Sequence, residues 1–183
     1  MNRRPWNMTR LMMAVLLTAG LAVSGNNQAS QNVTVTFTAV LLPGTCDVSV
    51  DGQGPDATVV LPAVTADDLN ATGTAGKTAF KLQFSNCFGT KASVRAFFES
   101  GTGTNSSGYV INKGGTARNV DFKLIRDNGY PLFPDDFNQS SYLPIGDVNS
   151  TAEQIYYVAY VTDGKNATGG TVKGSITYRL DYK

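Results

Sequence analysis

Histidine is absent from the 183-residue chain, and cysteine occurs only twice, at Cys46 and Cys87. Without an imidazole, the chain's many serines have no ordinary general base, and no G-x-S-x-G elbow occurs. Both facts argue against serine-hydrolase chemistry. The same lack, with cysteines far apart rather than in a C-x-x-C pair, argues against a metal or redox site. Charge is also scarce, at 16% of residues, with 15 Lys+Arg against 14 Asp+Glu. Arg3, Arg4 and Arg10 precede an apolar run, and the rest of the chain holds 12 cations against 14 anions. A balance near −2 offers no electrostatic footprint for nucleic acid. Long apolar runs are missing as well. The one candidate, Leu11 to Val23, is shorter than the roughly 20 residues that a spanning helix needs. With arginines before it and the small residues Ala22-Val23-Ser24-Gly25 closing it, it reads as a cleaved secretory leader over residues 1–25. The polar Asn/Gln/Ser segment after it, without a juxtamembrane charge cluster, weighs against a membrane anchor.

What is present is alternation. In Asn32 to Leu42, NVTVTFTAVLL, the residues Val33, Val35, Phe37, Ala39 and Leu41 fall on one face and Thr34, Thr36 and Thr38 on the other. That period of two predicts a strand with one buried face. Pro43-Gly44 separates it from the next segment. Further strands are expected at Thr45 to Val50, at Ala57 to Leu61, around Phe80, Leu82 and Phe84, and around Val94, Ala96 and Phe98. Cys87 is out of phase with Phe84 by one residue, which predicts a bulge or a strand end. Val64 to Gly76 reads as a loop with one helical turn at Ala66 to Leu69. Val120, Phe122 and Leu124 lead into Asp127-Asn128-Gly129, a hairpin signal, with Tyr130 to Phe133 returning. Gln154 to Thr162 is apolar on both faces, as in a central strand. In the final run Val172, Gly174, Ile176, Tyr178, Leu180 and Tyr182 face one way. Short strands with Gly/Asn/Asp turns predict one antiparallel β-sandwich domain. Two exported cysteines are read as one disulfide, closing a loop of about forty residues worth roughly 4 kcal/mol in chain entropy.

Other features invite stronger readings. Asp67-Asp68 and Asp135-Asp136 lack a matching nucleophile or base and read as solvated loop. Asp56, Asp67 and Asp68 match no calcium-loop spacing. The N-x-S/T triplets at Asn32, Asn70, Asn105, Asn138, Asn149 and Asn166 read as composition. Tyr156, Tyr157 and Tyr160 read as core rather than as a sugar platform.

Taken in order, a leader, an alternating arm, a cysteine, a second cysteine after FKLQFSNC and a terminal YRLDYK resemble a chaperone–usher fimbrial subunit of the type 1 pilin class. Gly170, fourteenth from the end, and the VVLPAV stretch at Val59 to Val64 add to the resemblance, which spans residues 26–183. It implies an incomplete immunoglobulin-like antiparallel sandwich lacking its last strand, completed in trans by a donated strand. Residues 26–42 would be the donor-strand extension and residues 43–183 the sandwich domain. It further implies a groove lined by Gly170, Ile176, Tyr178, Leu180 and Tyr182, with Val33, Val35, Phe37, Ala39 and Leu41 as the donated residues. The implied partners are a periplasmic chaperone, an outer-membrane usher, further copies of itself or related pilins, and a host-surface receptor. No enzyme activity, cofactor or metal is implied. A structural subunit of a surface fimbria that supports adhesion is the expected function. A minor, adapter or lectin-like adhesive subunit is the alternative.

Overall fold

Among the described residues, ten strands and one short helix form. The computed structural model describes residues 33–40, 46–88, 92–146 and 150–183. The leader, Asn32, Leu41, the Pro43-Gly44 break and Asn149 lie outside the described residues. In chain order the elements are β1 (Val33–Val40), β2 (Asp47–Val50), β3 (Ala57–Leu61), α1 (Ala66–Thr72), β4 (Thr74–Cys87), β5 (Ser93–Glu99), β6 (Asp121–Arg126), β7 (Pro131–Leu132), β8 (Leu143–Pro144), β9 (Ser150–Val161) and β10 (Lys173–Tyr182). They build two five-stranded sheets, ordered β3-β1-β10-β5-β8 and β2-β4-β9-β6-β7. The inner faces meet in one core, in which Phe37, Phe80, Phe84, Phe98, Phe122, Tyr156, Tyr160 and Tyr178 are all fully buried.

Local chemistry explains the punctuation. Thr65 caps α1 by accepting a hydrogen bond from the Asp68 N–H, and its hydroxyl donates to the Asp68 carboxylate. Asp67 and Asp68 therefore sit in the first turn, where the helix dipole favours negative charge. The helix runs three residues past the expected turn and stops at Gly73, whose φ of 71° is left-handed. Thr74 to Gly76, expected in a loop, instead begin β4. The register of β4 against β9 slips between Phe84 and Cys87, with Asn86 at φ 48°. That bulge is why Cys87 is buried despite its parity. The hairpin at Asp127 to Gly129 closes as expected, with the Arg126 N–H donating to the Tyr130 carbonyl at 2.9 Å. β9 is central in its sheet, with Ala159 and Val161 on its outer face also buried.

The arm takes a position that alternation alone does not specify. β1 lies inside its own sheet, antiparallel to β3 and parallel to β10. The sequence reading sends this strand to a neighbour's groove; in the single chain it occupies the chain's own.

Cys46 and Cys87 form the expected disulfide, tying the start of β2 to the end of β4 across 41 residues of sequence. Replacing both with serine should cost about 4 kcal/mol by loop-closure entropy. The expected outcome is a lower urea midpoint in equilibrium melts, with the bridge-free chain unfolding first.

Candidate functional site

The site is the slot between β3 and β10 and the strand that fills it. Val35 stands opposite Val59 and Gly174, and Phe37 stands opposite Ala57 and Ile176. Both Val35 and Phe37 are fully buried, while Thr36 and Thr38 are exposed. The Phe37 ring lies 4.6 Å from Phe80 and 6.4 Å from Phe98. These rings in turn contact Tyr156 and Tyr178, at 5.7 Å from Phe80 and 6.0 Å from Phe98 respectively. One arm residue thus closes an aromatic cluster drawn from both sheets. Burying a ring of this size contributes about 1.5–3 kcal/mol. By contrast the exposed Lys81–Glu153 ion pair contributes only about 0–1 kcal/mol. Val33 and Ala39 pair through their backbones with Leu61 and Tyr178. Leu41 is outside the described residues.

Of the expected groove residues, Ile176 and Tyr178 stand opposite Phe37 and Ala39 of β1, while Leu180 and Tyr182 lie past the last described pair, Val40 with Arg179. Ile176, Tyr178 and Leu180 point into the core from β10, and Tyr182 is half-buried against it. Gly170 precedes β10 with φ 151°, and a Cβ there would come within 2.5 Å of the Ala117 nitrogen. Only glycine allows the 116–117 segment to pack on this turn. Gly170 also lines a cavity of about 200 Å³ with Val64, Leu69, Tyr160 and Val172, at the end of the slot where β1 begins. Gly174 has a similar role, because a Cβ would meet the Phe122 ring at 2.9 Å.

The tyrosines of the core are neutral donors. Tyr178 donates to the Pro55 carbonyl at 2.8 Å and Tyr160 to the Pro62 carbonyl at 3.1 Å. Burial pushes the Tyr160 phenol up to about 12 and raises those of Tyr156 and Tyr178 as well.

Sequence reasoning missed the outer face of β10. Arg95 is 5% exposed, and its Nε and Nη2 donate to Asp181 Oδ2 at 3.0 and 2.8 Å. Its Nη1 donates to the carbonyls of Phe137 and Ser140, and the Tyr142 hydroxyl donates to Asp181 at 2.7 Å. An arginine midway along an apolar strand was the available signal. Burial alone would raise the Asp181 carboxyl, but the hydrogen bonds from Tyr142 and Arg95 and the guanidinium charge outweigh it and hold the group below the usual carboxylate range. A carboxylate with a depressed folded-state value contributes stability that is full above its unfolded value, near 4, and is lost as pH falls through the folded value. The wild-type chain should therefore lose stability below about pH 4 more steeply than Asp181→Asn, as read by melting temperature against pH.

Sequence and structural likenesses place the chain among known proteins. Its sequence matches the family described as Fimbrial protein over residues 32–183. No curated protein matches it. Among solved structures, it is similar to the P pilus rod subunit PapA, with a TM-score of 0.60 at 15% identity, over 76% of this chain and 100% of that one. The Burkholderia pseudomallei antigen and type I fimbria protein BPSL1626 gives 0.42 at 23% identity, over 81% and 90% of the two chains. The first likeness establishes the pilin fold, an immunoglobulin-like sandwich with a strand missing from its body. The family match accounts for the rest: this chain belongs to the Fimbrial protein family of non-enzymatic structural subunits that assemble with other pilins into surface fimbriae.

Proposed function

We propose that β1 is an exchangeable strand and that the chain polymerises by donating it to the slot of the next copy. The observation carrying this reading is the position of β1, an N-terminal strand seated in the interior of a sheet rather than at its edge. Without it, β3 and β10 have no common partner, and Phe80, Phe98 and Tyr178 lose their cover. Such a gap must be filled by some strand, because unpaired buried backbone and exposed core are both costly. An identical arm from another copy can make every contact that the chain's own arm makes, the general logic of a strand swap. Direction is no obstacle. β3 and β10 run antiparallel to each other, so any strand between them is parallel to one wall and antiparallel to the other.

Each subunit then donates once and accepts once, which gives a linear, head-to-tail homopolymer. Residues 1–25 would act as the leader into the periplasm and residues 26–42 as the extension. There a chaperone would occupy the slot beside Ile176, Tyr178, Leu180 and Tyr182, and an outer-membrane usher would be where its strand is replaced. The main-chain ladder supplies attachment and the alternate side chains supply register. A shaft that itself adheres to a host receptor is the second reading. It is favoured by the exposed aromatic side chains of Tyr130, Phe133 and Phe137, at 64, 44 and 77%.

Deleting residues 26–42 tests the exchange. The shortened chain, kept folded by chaperone or by a synthetic arm peptide, should be captured but form no polymer. Polymer formation without the arm would overturn the reading. Phe37→Ala in the full arm should destabilise the filled sheet by about 3–5 kcal/mol and speed unfolding, seen as a steeper loss of polymer in denaturant.

A further inference from the structure

A sheet that recruits a strand must recruit it in one place. The sheet ordered β3-β1-β10-β5-β8 has outer edges at β3 and at β5–β8. An alternating, threonine-rich arm would pair with any open edge it met. In an antiparallel ladder, alternate residues turn their N–H and C=O to the same side, and a hydrogen-bonded pair exchanges both bonds. Phe98 and Ala96 on β5, and Thr58 and Val60 on β3, face outward in this way.

Phe98 and Thr58 are each met by a glutamine side chain. Gln139 Oε1 accepts from the Phe98 N–H at 2.6 Å, and its Nε2 donates to the Phe98 carbonyl at 3.0 Å. Gln53 Oε1 accepts from the Thr58 N–H at 3.2 Å, and its Nε2 donates to the Thr58 carbonyl at 3.1 Å. A primary amide carries one acceptor and two donors, so it can imitate one residue of a partner strand. The two amides come from unrelated places. Gln53 sits in the turn after β2, its N–H bonded to the Val50 carbonyl. Gln139 is 1% exposed, on a strap that Arg95 holds by the carbonyls of Phe137 and Ser140.

The rest of the β5 edge is closed by other means. The Ser140 hydroxyl donates to the Ala96 carbonyl at 2.8 Å, and the Ile145 N–H donates to the Ala92 carbonyl at 2.9 Å. Pro144, in β8, and Pro62, directly after β3, have no N–H to offer a further strand.

We propose that Gln53 and Gln139 are specificity-determining residues that stand in for strands at both outer edges, confining strand addition to the internal slot and keeping the polymer unbranched. This rests on the exchange reading given above. The test uses the full chain with Gln53→Ala and, separately, the near-isosteric Gln139→Met. Sedimentation reads association, and amide hydrogen exchange reads the freed edge. Gln53→Ala returns one donor and one acceptor to the β3 edge, and Gln139→Met returns the Phe98 N–H, while the Phe98 carbonyl keeps its bond from the Asp135 N–H at 2.9 Å. Each should raise the self-association constant about tenfold, equivalent to roughly 1.4 kcal/mol. In the associated species, the Thr58 amide should be protected in the first variant and the Phe98 amide in the second. Wild-type association in folded variants, or association that leaves those amides unprotected, would overturn the proposal. If Gln139→Met gives no cooperative melt, the exposed Gln53→Ala decides alone. The same samples are assayed for displacement of the chain's own arm by a labelled peptide of residues 32–42, which reads strand exchange itself. Failure of the peptide on wild type would count against exchange and leave the edge result to stand or fall separately.

Discussion

The structure depends on one constraint: β3 and β10 are too far apart to pair with each other, and a strand must lie between them. β10 carries Ile176, Tyr178 and Leu180 into the core, and β3 carries Val59 and Leu61. Neither wall can be left facing water, because each would expose both apolar side chains and a row of backbone donors and acceptors. β1 satisfies both demands at once. Its backbone completes two ladders, and Val35 and Phe37 fill the space beneath. The body of the domain is thus built around an absence, and the segment that fills it is joined to the body by the five residues 41–45.

β10 works on both faces. Its inner face lines the slot, and its outer face is pinned by Arg95 and Tyr142 to Asp181, while Arg179 pairs with Glu99 at 2.9 Å. At its end the Lys183 carbonyl accepts from the N–H groups of Ala92 and Ser93. These contacts hold the wall of the slot in place from outside, so the arm meets a formed surface. Binding to a preorganised groove costs less ordering entropy than binding to a mobile one.

Much of this was legible in the sequence, for a definite reason. Burial of one face writes a period of two, so Val35, Phe37, Phe80, Leu82, Ile176 and Tyr178 announced themselves. The bulge at Cys87 showed as a slip in that period, and Gly170 as a glycine at a distinctive distance from the end. Alternation is silent, however, on whose sheet a strand joins and in which direction it runs, since both choices bury the same face. The placement of β1 in its own chain was therefore not legible. The strap was not legible either. Gln139, Ser140 and Tyr142 lie in polar sequence that reads as solvated loop, and their roles depend on bonds to β5 and β10 some forty residues away. Side chains that imitate backbone leave no periodic trace.

The central claim is that one arm serves either its own slot or a neighbour's, never both. Thr36 and Thr58 face each other across β1 and β3 on the outer side of the sheet. Thr58 turns its backbone to Gln53, so the pair is of the closely spaced, non-hydrogen-bonded kind that suits a cross-strand disulfide. Thr36→Cys with Thr58→Cys, once oxidised, should lock the arm in its own slot. Fibre formation by the locked chain is the direct measurement, with Thr36→Cys alone as the reference. The account predicts that the locked chain stays monomeric while the reference polymerises; fibres from the locked chain at the reference rate would contradict it.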